Sequence, residues 1–267
     1  MSIQEYFDGL KLIGDDYSKS QIKIWADEEK EAYANLGAQN KSEYKYKYHA
    51  LNRKIGFSDL NLQKCKKVLG IGSAWGDEFS PIAKYIEEII VLEPSEAFAK
   101  NTSILGIPAQ YIRPNDTNLL PFDNEMFDLI VCLGALHHIP NVSFVLKEFY
   151  RCIKFDGIVI IREPIVSMGD WRNKRVGLTK NERGIPLRLF KKMLDESGFV
   201  IDKQVLCMFQ PLRFFSKYSN IDIYNNKFYI FFDLVFSKIF SWNIRYHKER
   251  IWQKFGPTSV YYVVRKV

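Results

Sequence analysis

The sequence predicts an α/β chain built on a doubly wound, mostly parallel sheet. Short, continuous apolar runs recur at 68–72, 89–92, 109–112, 127–133 and 157–161. Amphipathic stretches at 77–86, 95–104 and 142–154 separate most of them and have helical spacing. Strands that are apolar on both faces and alternate with helices belong to a parallel sheet covered on both sides. Right-handed crossovers then wind such a sheet in two directions. The first run ends in glycines and the second in Glu93-Pro94, at the strand ends where sheets of this kind hold their ligands.

Taken in order, residues 1–60 form an N-terminal helical cap in which Trp25, Tyr33, Leu36, Tyr44 and Tyr48 fall at loose helical intervals. The main domain runs over 61–267. Beyond the fifth strand, Pro186 precedes a helix over 187–197, and Gly198 supplies its stop signal. Residues 199–206 and 259–265 are predicted strands, with an aromatic-rich insertion at 207–258 between them.

Composition bounds the function. The 267 residues carry a formal net charge of +7, with 47% hydrophobic and 26% charged residues, which excludes wholesale disorder. The 38 Lys and Arg are spread along the chain, which speaks against a nucleic-acid partner. Cys65, Cys132, Cys152 and Cys207 are scattered and most lie in or beside apolar runs, so neither a disulfide framework nor a metal site is expected. The first ten residues carry Glu5 and Asp8 and lack the pattern of a secretory signal. The apolar stretch 228–242 is broken by Asp233 and Lys238 and falls short of the roughly 20 residues of a membrane span. A cytoplasmic protein is expected.

The chemistry is concentrated after the first strand, in Gly70-Ile71-Gly72-Ser73-Ala74-Trp75-Gly76. A dinucleotide fingerprint starting at Gly70 and Gly72 needs a third glycine where Trp75 stands, and so fails. The segment Val68-Leu69-Gly70-Ile71-Gly72-Ser73-Ala74-Trp75-Gly76 instead resembles the first motif of class I S-adenosylmethionine-dependent methyltransferases, V-L-D-x-G-x-G-x-G. The resemblance continues in order. Glu93 ends the second strand, and Asn115-Asp116-Thr117-Asn118-Leu119-Leu120-Pro121-Phe122 keeps the spacing of G-D-A-x-x-L-P-F. Phe127-Asp128 leads to Leu136-His137-His138, and Glu148 with Arg151 precedes Gly157. The resemblance spans 67–163 and, through 260–266, the last strand.

It implies a Rossmann-like, doubly wound, seven-stranded methyltransferase sheet with N-terminal helices and a helical insertion before the last strand. It also implies S-adenosylmethionine as cofactor, held by Gly72, Ser73, Ala74 and Gly76, by Glu93 and Pro94, by Asn115, Asp116 and Thr117, and by Leu133 and Gly134. Glu93 would accept from the ribose hydroxyls and Asp116 from the adenine amino group. Asp128 is expected to be structural. Two departures stand out: Gly70 replaces the acidic residue of the first motif, and Ala74 its middle glycine. Glu78 or a backbone carbonyl could supply the missing acceptor.

His137 and His138 follow the fourth strand, facing the acceptor side, and either could take a proton from an attacking hydroxyl. One of the two is expected to fix the loop instead. Arg162, Glu163 and Arg172 lie after the fifth strand on the same face, with surface ion pairs as their plainer role. In the insertion, Phe228, Phe231, Phe232, Val235, Ile239 and Trp242 recur at helical spacing with Asp233, Ser237, Lys238 and Ser241 opposite. The plain expectation is a helix packed over the catalytic face or in a dimer. The sharper one is a membrane-surface helix that receives a lipid-linked acceptor.

The run Gly72-Ser73-Ala74-Trp75-Gly76-Asp77-Glu78-Phe79 looks like methyltransferases of bacterial surface-polysaccharide pathways. The leading expectation is therefore methyl transfer to an oxygen or nitrogen of a small molecule, a sugar or sugar-nucleotide. A nucleic-acid methyltransferase and a non-catalytic S-adenosylmethionine-binding module are the alternatives.

Overall fold

The computed structural model describes residues 3–31, 40–58, 60–219 and 221–267. Its strands are β1 (Lys67–Ile71), β2 (Glu88–Leu92), β3 (Ser103–Ile104), β4 (Ile107–Ile112), β5 (Phe127–Leu133), β6 (Ile153–Pro164), β7 (Val200–Phe209) and β8 (Pro257–Arg265). They form one eight-stranded sheet in the order β3-β4-β2-β1-β5-β6-β8-β7. The pairs β4–β2, β2–β1, β1–β5 and β5–β6 are parallel, and β8 runs antiparallel between β6 and β7.

The sheet has one strand more than expected. Leu105 and Gly106 both take positive φ, and this tight turn folds Ser103–Ile104 back onto β4. The same turn ends the helix expected over 95–104, which is a series of turns instead. The helix expected over 77–86 is reduced to two 3-10 turns, Asp77–Phe79 and Ala83–Tyr85. Pro81 between them has no N–H to continue a helical ladder.

The helices are α1 (Ile3–Phe7), α2 (Lys19–Glu29), α3 (His49–Ile55), α4 (Val142–Cys152), α5 (Leu187–Glu196), α6 (Gln210–Ser219) and α7 (Lys227–Ile239). Alternate residues of the central strands feed two cores. Leu69, Ile71, Ile130 and Cys132 pack with Val145 and Phe149 of α4 and Phe190 of α5. Val68, Val91, Leu129 and Val131 pack with Leu51 and Ile55 of α3 and Ile230 of α7.

The N-terminal region is less helical than expected. Tyr44 and Tyr48 lie outside helices, before α3, and Tyr33 and Leu36 lie outside the described residues. In the insertion, Asp233 of α7 accepts from the backbone N–H of Met208 (2.8 Å) and Phe209 (2.7 Å), fixing the helix to the end of β7. None of the insertion's described residues lines the ligand cleft, but Tyr224 stacks on Tyr48 at 5.5 Å and Asn225 donates to Tyr46 O at 3.1 Å, so the insertion backs the cleft's tyrosine wall. Among the described residues, no helix is long and apolar enough to cross a membrane.

Candidate active site

A cleft with about 1310 Å³ of empty space opens over the C-terminal ends of β1, β2 and β5. Gly72, Ser73, Ala74, Glu93, Pro94, Leu133 and Gly134 all line it. Gly72 has φ +61, and a Cβ there would come within 2.8 Å of Ala135 Cβ, so only glycine fits between this turn and the turn after β5. Gly134 takes φ +92, which favours glycine, and a Cβ there would meet His137 at 3.7 Å and Arg162 at 3.8 Å, ordinary contact distances.

Glu93 is 6% exposed. One carboxylate oxygen accepts from Ala74 N (3.1 Å) and the other from Ser95 N (3.2 Å). Burial outweighs these two bonds and raises its pKa to about 7. Each oxygen keeps a lone pair for a further donor. Glu78 also lines the cleft, and burial pushes its carboxyl up to about 7 as well.

Gly70 explains the altered first motif. A Cβ there would collide with Ser73 Oγ and Phe79 Cζ, so Ser73 and Phe79 fill the space that an acidic side chain would need. The acidic group of the cleft comes instead from Glu78, within the turn after β1.

Other expected residues lie elsewhere. Asp116 is not in the cleft: it pairs with Lys23 at 2.9 Å and its side chain is 62% exposed. Asn115 and Thr117 are likewise not lining residues. Asn115 Oδ1 accepts from Thr117 N, Thr117 Oγ1 and Leu119 N, which makes it a turn cap. The neighbouring Pro114 and Asn118 face the cleft instead. Gly76 does not line it either, because its positive φ serves the turn and Ile104 packs against it. Arg172 is exposed and paired with Asp170. Asp128 accepts from Lys66 N and Lys67 N and pairs with Lys154, a structural role.

The two histidines differ sharply. His137 does not line the cleft. Its Nδ1 lies 2.6 Å from Glu163, and its Nε2 lies 3.5 Å from Glu182. Burial opposes its charge, but the two carboxylates outweigh burial and hold it up at about 9. His138 does line the cleft. Its Nδ1 lies 2.9 Å from Glu29 of α2. Burial and the charge of His137 lower its pKa, which leaves a neutral imidazole at neutral pH. Among the described residues, His137, His138 and Glu182 could geometrically hold a metal, their ligand atoms lying within 4.8 Å of one another. Hydrogen bonds to Glu163 and Glu29 already engage both Nδ1 atoms.

The cleft's N-terminal wall was not among the expected site residues. Trp25 and Glu29 of α2 and Tyr44, Tyr46 and Tyr48 all line it. The tyrosines alternate with lysines, a period-two signal for one face of an extended segment. Arg162, at the end of β6, is 6% exposed beneath them, its guanidinium 3.9 Å from the Tyr48 ring centre. Its hydrogen bonds are long and go to neutral groups, Asn52 Oδ1 at 3.4 Å and Leu133 O at 3.3 Å. Among the described residues it forms no ion pair. Buried Arg183, by contrast, donates to backbone carbonyls of Ile13, Leu136, His137, Ile139 and Pro140 and fixes the turn after β5.

Comparison with known proteins agrees with this geometry. The family described as methyltransferase domain matches residues 69–161. An uncharacterized methyltransferase, YbaJ, of Bacillus subtilis is 29% identical over 126 residues, covering 45% of this chain and 49% of that protein. A demethylmenaquinone methyltransferase of Lactobacillus johnsonii is 27% identical over 126 residues, covering 45% and 48%. The chain thus spans about half the length of these relatives. The crystal structure of an S-adenosylmethionine-dependent methyltransferase from Mesorhizobium loti superposes with TM-score 0.53 at 13% identity, over 81% of this chain and 98% of that one, a likeness of fold.

The cleft's donor set suits the cofactor of that class. Two buried carboxylates face a cationic, hydroxyl-rich molecule, and Gly72 and Gly134 line the same cleft. Residues 69–161 thus match the methyltransferase-domain family, the sheet has the fold of S-adenosylmethionine-dependent methyltransferases, and both findings support S-adenosylmethionine as the cofactor.

Proposed function

We propose that the chain transfers a methyl group from S-adenosylmethionine to an oxygen or nitrogen of an anionic small molecule, a sugar or sugar-nucleotide of surface-glycan biosynthesis. The observation that carries the acceptor class is Arg162. This buried guanidinium has two long bonds to neutral partners, the face of Tyr48 and only the longer-range charge of Glu78, with no direct ion pair among the described residues, so it keeps hydrogen-bonding capacity for an anion. A phosphate or carboxylate on the acceptor supplies that anion. Tyr44, Tyr46 and Tyr48 line the cleft as an aromatic wall against which a sugar can pack. Tyr46 Oη accepts from Asn52 Nδ2 at 2.7 Å and keeps its own proton to donate.

The cofactor, when bound, supplies an electrophilic methyl group on a sulfonium. In this reading Glu93 accepts from the ribose hydroxyls and Glu78 from the amino group. His138 donates Nδ1–H to Glu29 and keeps its Nε2 lone pair to take the acceptor's proton. Arg162 and the tyrosines align the acceptor, and alignment provides much of the acceleration in such a displacement. An aromatic acceptor is the second reading, favoured by the same tyrosine wall and by relatives named demethylmenaquinone methyltransferase.

The test is an assay with labelled S-adenosylmethionine against fractionated cell extract, with mass identification of the product. An anionic glycoside or sugar-nucleotide supports the proposal. The acceptor KM should then rise by about tenfold or more in Arg162→Met, as for loss of a charge-assisted bond, and recover in part in Arg162→Lys. A neutral product with Arg162→Met unchanged would contradict it.

A further inference from the structure

Helix α7 is built inside out. Its inward side carries Ile230, Asp233 and Ser237, all buried, while Phe228, Phe231 and Ile239 are exposed. Positions 228, 231, 235 and 239 share one arc of the helix, opposite 230, 233 and 237. The outward rings form one surface: Phe232 lies 4.8 Å from Phe228 and 5.5 Å from Phe231, centre to centre. Trp242, 68% exposed, follows the helix. Asn243 donates to the carbonyls of Trp252 (2.9 Å) and Phe255 (2.8 Å), which brings the turn Ile251–Lys254 alongside. There Ile251 is 77% exposed. So much contiguous apolar surface marks an interaction site.

A second cavity, separate from the methyl-transfer cleft, opens beside this face. Its walls include Gln210, Arg213, Phe214, Lys248, Lys254 and Thr258, and among the described residues no carboxylate lines it. Among the described residues, the hydrogen bonds of its cations go to neutral groups, Lys248 to Gln210 Oε1 at 2.8 Å and Arg213 to Thr258 Oγ1 at 3.4 Å, while Asp233 acts on Arg213 only through its charge. Burial, with Arg213 and Lys254 nearby, pushes Lys248 down to about 8. Lys227, Lys238, Arg245 and Arg250 of the same insertion are exposed. Residues 210–256 hold eight Lys and Arg against three Asp and Glu.

We propose that this face binds the surface of an anionic phospholipid bilayer. The exposed rings and Ile239 and Ile251 enter the interfacial layer, and the cationic cavity takes a headgroup phosphate. Charge decides between a bilayer and a second copy of the chain. A two-fold contact through this face would set its cations against themselves, whereas an anionic membrane complements them.

The test is vesicle flotation of the full chain, with phosphatidylglycerol–phosphatidylcholine vesicles against phosphatidylcholine alone. The protein should float with the anionic vesicles and be released by added sodium chloride. The double variants Phe231→Ser/Trp242→Ser and Lys248→Glu/Lys254→Glu should each lower the partition coefficient by about tenfold or more, given the worth of rings and cations at a membrane surface. The melting curve of Phe231→Ser/Trp242→Ser and the S-adenosylhomocysteine affinity of both variants should not change, because the two rings are exposed and all four side chains lie outside the cleft. Inorganic phosphate at matched ionic strength should release no more protein than chloride does, which separates a lipid site from a site for free anions. Absence of flotation by the wild type overturns the proposal, as does equal flotation of both variants. A dimer in sedimentation that Phe231→Ser/Trp242→Ser dissociates, without flotation, would assign the face to a second copy.

Discussion

Nδ1 of His137 lies 2.6 Å from one oxygen of Glu163, while the other oxygen of that carboxylate accepts from Ala135 N (2.9 Å) and Leu136 N (2.8 Å). One buried group thus fixes both the turn after β5 and the imidazole within it. His137 holds the loop, and its neighbour His138 faces the cleft as a neutral ring. The charge on His137 is itself one cause of that neutrality.

Substitution should therefore separate the two histidines. His138→Asn should lower kcat by about 10- to 100-fold, the scale of a lost general base, with S-adenosylhomocysteine affinity within about threefold. His137→Asn should lower the unfolding free energy instead, by on the order of 2 kcal/mol, because it leaves Glu163 buried without its partner. Turnover kinetics and thermal melts on both variants check this; an unchanged kcat in His138→Asn removes the ring from the mechanism.

The same pair sets a pH dependence of stability. His137 is raised from an ordinary 6.5 to about 9, so its contribution is complete below 6.5 and lost as pH rises through 9. Glu163 is lowered from 4.5, so its contribution is complete above 4.5 and lost as pH falls. Between these limits the pair stabilises fully. The difference in melting temperature between wild type and His137→Gln should be largest there and shrink toward pH 9. A difference that stays constant from pH 6 to about 9 would contradict this assignment.

Cofactor binding should depend on pH through Glu93. Only the ionised carboxylate accepts from two hydroxyls, and burial raises Glu93 to about 7. Affinity for S-adenosylhomocysteine should weaken below that pH, approaching about tenfold per unit. Glu93→Gln should weaken binding by about 1–3 kcal/mol at pH 8 and flatten the part of the pH profile that Glu93 supplies. Titration calorimetry across pH 5.5–8.5 reads both effects.

Restoring the acidic residue of the first motif should fail. Gly70→Asp drives a side chain into Ser73 and Phe79 and should cost about 1–3 kcal/mol of stability with no gain in cofactor affinity. Glu78→Gln should weaken S-adenosylhomocysteine but not 5′-methylthioadenosine, which lacks the amino-acid moiety. Equal weakening of both ligands would place Glu78 elsewhere in the cleft's work.

Much of this was readable from residue order. Apolar runs located β1, β2, β4, β5 and the last strands to within a few residues, because strands buried on both faces have no competing pattern. Glu93 and the glycine turn followed from where a doubly wound sheet opens. Asp116 misled, because spacing alone cannot tell a side chain aimed at a ligand from one paired with Lys23. The direction in which the insertion's stripe faces was not readable. An aromatic stripe signals burial in an ordinary amphipathic helix, but Asp233 found backbone partners at the end of β7 and turned the stripe outward. The alternation of tyrosine with lysine over 44–48 marks one face but not what it faces, and the settings of His137 and His138 depend on contacts between residues far apart in sequence, which no local pattern records.

The central claim is that the cleft beneath Glu93 holds S-adenosylmethionine, and titration calorimetry tests it most directly. S-adenosylhomocysteine should bind the wild-type chain at one site, NAD should give no heat, and Glu93→Ala should weaken binding by about 10- to 100-fold. Binding of NAD in place of S-adenosylhomocysteine, or an unchanged affinity in Glu93→Ala, would contradict the account.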